Sequence, residues 1–148
     1  MKSLDVKEFF QQIRHIDSQI NGKMEQLDRM KALATKVTAA MSEAGARTSG
    51  PSRGMENTID KIIALQEELN ADIDRYVDLK RAANGIIGRI ENEKYRRVLE
   101  SRYLLGKTWE TIADEMGMTC QGVLKLHGRA LQEAEKIFPA FLEKLLEV

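Results

Sequence analysis

Lys107-Thr-Trp-Glu-Thr-Ile-Ala-Asp-Glu-Met-Gly-Met-Thr-Cys-Gln-Gly-Val-Leu-Lys-Leu-His-Gly-Arg-Ala-Leu131 is the stretch that decides how the chain folds. Trp109, Ile112, Ala113 and Met116 recur at helical spacing, opened by Thr108, whose hydroxyl can cap a helix, and closed by Gly117. A glycine at that point supplies the left-handed backbone that ends one helix and starts a tight turn. Met118 then tucks inward, Thr119 caps a second helix, and Val123 and Leu126 face back onto Trp109, Ile112 and Met116. Ala113 is small where two steeply crossing helices need close backbone approach. The spacing predicts a helix-turn-helix over 107–131, with Cys120, Gln121, Leu124, Lys125 and Gly128 left facing outward.

Working outward, Tyr95, Val98, Leu99, Arg102 and Tyr103 form a preceding amphipathic unit closed by Gly106. Arg102, on its inner side, is expected to pair with Glu110. The second helix of the motif runs on through Ala130 and Ala134 to Phe138, and a last short helix is expected to restart at Pro139, a residue suited to a first helical position. His15 and His127 both read as solvated helix residues.

Ahead of this region the pattern changes to heptads. Val6, Ile13, Ile20, Leu27, Ala34 and Met41 recur every seven residues, interleaved with Phe9, Ile16, Lys23, Met30 and Val37. Lys23 alone breaks the stripe, and Met24 is expected to lean into the gap while the lysine stem extends outward. The segment 45–54 holds three glycines and a proline and predicts a loop. Beyond it Met55, Ile62, Leu69, Tyr76, Ala83 and Ile90 repeat every seven, with Ile59, Ile73 and Ile87 four further along and Gln66 and Lys80 interrupting. Two helices of about 35 residues joined this way predict an antiparallel hairpin roughly 50 Å long. Gly85 and Gly88 predict a bend or an end late in the second helix. The expected fold class is therefore all-α: a coiled-coil-like hairpin over 1–90, then a helix-turn-helix domain over 91–148.

Composition fits long, thin helices. Aromatic residues make up 5% and charged residues 31% of the 148, and 23 basic residues balance 23 acidic ones. No global positive field draws the chain to nucleic acid or anionic lipid, so such contact must be local. One cysteine and two distant histidines do not make a metal site, and no metal or other cofactor is expected. No apolar leader or long uncharged run is present, so a cytoplasmic, reducing setting without membrane contact is the expectation. Asp72, Asp74 and Asp78 read as the outer side of a helix with no partner group to complete a catalytic site, and Ser49-Gly50 lacks the lysine of a phosphate loop. The chain does not read as an enzyme, nor as the binder of a small-molecule substrate.

The segment 95–131, with Tyr95-Arg-Arg-Val-Leu-Glu-Ser-Arg-Tyr-Leu-Leu-Gly106 leading into Thr-Trp-Glu-Thr-Ile-Ala and ending in Gly-Arg-Ala-Leu131, resembles region 4 of the sigma-70 family. That resemblance implies contact with double-stranded DNA and with RNA polymerase. Nearly the whole chain, including Lys31-Ala-Leu-Ala-Thr35 and Tyr76-Val-Asp-Leu-Lys80, also resembles helical phage and prophage proteins of Gram-positive bacteria grouped with ArpU-type late transcription regulators. Sigma regions 2 and 3 have no counterpart here. Cys120 and Gln121 stand where region 4 often has arginine and glutamate.

On a recognition helix, Cys120, Gln121, Leu124 and Lys125 are the candidates for base contact: glutamine can pair with adenine, lysine with guanine, and leucine can meet a thymine methyl. Lys107, Thr108, Thr119, Arg129, Arg96 and Arg97 are the candidates for phosphate contact, which positions without reading sequence. The reading is a phage-type transcription regulator whose hairpin self-associates or contacts a partner. A homodimer is favoured, because Ile63, Leu65, Leu79 and Ile86 lie beside the seam and need cover. Two alternatives are a packaging protein like a small terminase subunit, in which the domain order is usually reversed, and a polymerase-binding module without DNA binding.

Overall fold

The computed structural model describes the backbone over 5–43 and 53–146 and the side chains over 5–40 and 54–141. Among these residues every regular element is helical: α1 (Val6–Glu43), α2 (Arg53–Gly88), α3 (Glu93–Leu99) running on into a π-helical turn (Glu100–Leu104), α4 (Trp109–Met116) and α5 (Cys120–Leu146). No described helix is long and apolar enough to cross a membrane. Of the expected loop over 45–54, residues 53 and 54 belong to α2, and 45–52 lie outside the described residues.

The chain divides into two compact units. One holds residues 16–75; the other holds the residues up to His15 and from Tyr76 onward. The second is the larger and contains a continuous core: Phe9, Phe10 and Ile13 of α1, Ala83, Ile86, Ile87 and Ile90 at the end of α2, and Val98, Leu99, Tyr103, Ile112, Val123, Ala130, Ala134 and Phe138 beyond. The core thus crosses the boundary drawn at residue 90 from the heptads. Phe10, fully buried although off the heptad stripe, stacks on Tyr103 at 4.8 Å between ring centroids. With Phe9 on Phe138 at 5.4 Å, that contact joins the beginning of α1 to the elements from α3 to α5.

Helix ends in this unit are capped by specific partners. Asp5 Oδ1 accepts from Glu8 N at 2.7 Å, and Glu135 Oε2 of α5 accepts from Val6 N at 3.0 Å, so two carboxylates meet the positive end of α1. Asn92 Oδ1 accepts from Lys94 N and Tyr95 N and starts α3. α2 ends at Gly88, as the glycines foretold. Gly85 has a packing reason: a Cβ there would stand 2.7 Å from Phe141 Cε1. The expected break at Pro139 is absent, and α5 continues through it. Proline removes one N–H, which leaves the Glu135 carbonyl without its helical donor. Both residues are exposed, so water can serve that carbonyl, while Phe138 on the buried face holds the helix to the core.

In the unit 16–75, Lys23 Nζ lies 2.6 Å from Asp72 Oδ2, and Thr38 Oγ1 lies 4.0 Å from Met55 Sδ. Partners descend along α2 as they ascend along α1, the order of two helices running in opposite directions. Ile16, Ile20, Leu27 and Leu69 are buried between them. Four expectations are corrected here. Lys23 does not turn outward while Met24 fills the seam: Lys23 is half-buried on Asp72, and Met24 is 47% exposed. Asp72 is therefore on the inner side of α2. Within this unit the second series of α2 that turns inward is Thr58, Leu65 and Asp72, three residues beyond the first and half-buried, whereas Ile59 and Ile73, four beyond, are exposed; Ile87 of that expected series is fully buried in the other unit. Of the flanking residues expected to need cover, Leu65 and Leu79 are half-buried, Ile86 is fully buried, and only Ile63 is exposed. The side chain of Met41 lies outside the described residues.

Candidate nucleic-acid interface

Each step of the α4–turn–α5 segment has a local cause. Thr108 Oγ1 accepts from Thr111 N at 3.2 Å and begins α4. Gly117, at φ 63°, ends it: Gly117 N donates to Asp114 O at 3.3 Å and Met118 N to Ala113 O at 2.9 Å, the paired bonds of a left-handed helix terminus. Thr119 Oγ1 then accepts from Gly122 N at 3.0 Å and opens α5. Gly122 keeps this cap open, because a Cβ there would stand 3.1 Å from the threonine hydroxyl.

Val123, Leu126 and Ala130 turn inward on α5, onto Ile112 and Ala113 of α4 and the partly buried Trp109, Met116 and Met118. Cys120, Gln121, Leu124, Lys125, Gly128 and Arg129 are exposed. The four base-contact candidates therefore share the outer side of the first turns of α5.

The phosphate-contact candidates divide. Arg129 and Arg97 are exposed. Lys107 is held by Glu115, with its Nζ 3.0 and 2.8 Å from the two carboxylate oxygens. Arg96 Nη1 donates to Ile90 O at 2.5 Å and Glu91 O at 3.0 Å, clamping the α2–α3 connection. The hydroxyls of Thr108 and Thr119 are engaged as caps. A shallow cleft in front of the turn is lined by Thr111, Met118, Thr119 and Cys120 together with the carboxylates of Glu110 and Asp114, which lower the local potential for an anion.

Behind this face lies a polar cluster that the sequence reading missed. Arg102 does not pair with Glu110 in an ion pair; its guanidinium stacks over Trp109, 4.2 Å from the ring centroid, and Nη1 donates to Lys107 O at 3.1 Å. Its own carbonyl accepts from Arg14 Nη1 at 3.1 Å. His127 is not solvated: only 8% of it is exposed, its Nε2 shares a 2.7 Å hydrogen bond with the Tyr103 hydroxyl, and Trp109 meets it edge-on at 4.7 Å. Burial, with Arg102 and Lys7 adding to it, lowers the His127 pKa to about 4, and burial raises that of Tyr103. Both are neutral near pH 7 and fit an apolar setting. The spacing of His127 from Leu126 and Ala130 put it near the inner face, but its partners come from α3's extension and α4, which periodicity within one helix does not reveal.

Among the described residues no cluster of histidine, cysteine or acidic side chains is placed to hold a metal ion. Comparison with family models, with curated proteins and with solved structures found no match.

Proposed function

We propose that this chain is a sequence-specific DNA-binding regulator of the phage and prophage type, reading the major groove with α5 through a sigma-70 region-4-like helix-turn-helix over 107–131. The helical hairpin of α1 and α2 serves self-association or partner contact. The observation that carries this reading is the two-faced α5: Val123 and Leu126 bury while Gln121, Leu124 and Lys125 stand exposed immediately after a capped, glycine-ended turn. A helix presented at its N-terminal turns, held on a packed support, is the form in which side chains reach base edges. Arg129, one turn beyond Lys125, and Arg97 supply backbone contacts, whereas Lys107 is spoken for by Glu115.

Selection of bound duplexes from random DNA by the full chain tests the reading, and one enriched sequence family is the expected outcome. On that sequence Gln121→Ala should flatten discrimination at one base position by about 1–3 kcal/mol. Arg129→Ala should weaken all sequences alike and lower the logarithmic salt slope by about 1, while Lys107→Ala should change it less. The carboxylates of Glu110 and Asp114 beside Thr119 favour one other reading, a polymerase-binding module that does not bind DNA. No enrichment even at low salt would make that module the better account.

A further inference from the structure

Ile59, Ile63, Gln66, Asn70 and Ile73 follow one another along α2 at alternating separations of four and three, so they form one helical stripe. It is not the stripe that faces α1. Ile59 is 44% exposed, Ile63 48% and Ile73 38%, large β-branched side chains in water along a single helix. The order of the stripe is the same in both directions about Glu68: first an amide at Gln66 or Asn70, then Ile63 or Ile73. About a two-fold axis residue i meets j while j meets i, so this order sets amide on amide and isoleucine on isoleucine.

We propose that this stripe binds a second copy of the chain, α2 against α2 in antiparallel fashion, with the two-fold axis at Glu68. The proposal rests on the self-association role given to the hairpin above and assigns it a surface and a register. Ile63 packs on Ile73 of the second copy. Gln66 and Asn70 meet twice across the axis and can bond reciprocally, so a register slip would set amides against isoleucines. Asp60, Glu67 and Asp74 are exposed along one flank of the stripe. In this register Asp60 comes near Asp74 of the second copy, and Glu67 near its own counterpart. Repulsion between them weakens the pair at low ionic strength, so salt must strengthen the dimer. A partner helix with a basic flank would show the opposite dependence.

Sedimentation equilibrium of the full chain at about 0.05 M and about 0.5 M salt tests this. The expected result is a dimer that tightens with salt, that forms a mixed dimer with the Glu67→Lys variant more tightly than either chain pairs with itself, and whose dissociation constant rises by at least about 100-fold in Ile63→Asp/Ile73→Asp. Circular dichroism checks that the variant keeps its helix content; should the aspartates lower it, Ile63→Gln/Ile73→Gln gives the same reading. A monomer at high micromolar concentration in both salts overturns the proposal, as does a dimer that survives the double substitution or loosens with salt. A chain that selects DNA yet stays monomeric overturns the interface alone; a dimer that selects none overturns the DNA reading alone.

Discussion

A protonated imidazole loses its hydration when buried, and His127 registers that loss in a pKa lowered to about 4. Between an ordinary histidine pKa of about 6.5 and that value, the unfolded chain binds a proton that the folded chain does not. Stability therefore falls as pH drops through this window and levels off below it, by about 3 kcal/mol in all. Urea denaturation at pH 7 and pH 4.5 checks the slope, which His127→Gln should flatten. Legibility at this scale followed the range of the interaction. Thr108, Gly117 and Thr119 act on backbone groups within a few residues, and each was readable from its neighbours in the chain. The Tyr103–His127 bond and the stacking of Arg102 on Trp109 join different elements, and a histidine on an amphipathic helix looks the same in sequence whether its inner side meets solvent or a phenol.

Helical elements were readable because each apolar stripe is long, but the pairing of stripes was not. α2 carries apolar residues both three and four positions beyond its first heptad series, and either set can face a neighbour. The choice is made by Lys23, which needs a carboxylate opposite it and finds Asp72 at 2.6 Å; the same hydrogen bond raises the lysine pKa. Removing one partner leaves a charge in the seam, whereas replacing both by apolar residues does not. Lys23→Met and Asp72→Leu should each lower the melting temperature, and the double substitution should restore it, as thermal scans of the three variants would show. Gly85 makes a similar point about helix contacts. Gly85→Ala adds helix propensity yet should destabilise by about 1–3 kcal/mol, because the new methyl meets the Phe141 ring, and Phe141→Leu in the same chain should recover part of the loss.

For the molecule as a whole, the all-helical class and the order of elements follow from periodicity, while the grouping into two units depends on contacts between distant elements, Phe9 with Phe138 and Phe10 with Tyr103 among them. Leu27 and Leu69 are buried in the unit 16–75, at 7% and 8% exposure. An aspartate at either position should cost that unit several kcal/mol by order of magnitude. How its opening can be seen follows from where the rings are: between residues 16 and 75 there is no phenylalanine, tyrosine or tryptophan. Near-ultraviolet dichroism and Trp109 emission come only from the other unit, while the far-ultraviolet signal counts helix in both. In Leu27→Asp or Leu69→Asp, helix signal should melt at a temperature where the ring signals still hold, and coincident melting of the two would count against separate unfolding. The chain thus carries its own optical filter: one unit is dark at the wavelengths where the other is bright, so two spectra of one unlabelled sample resolve which unit gives way first.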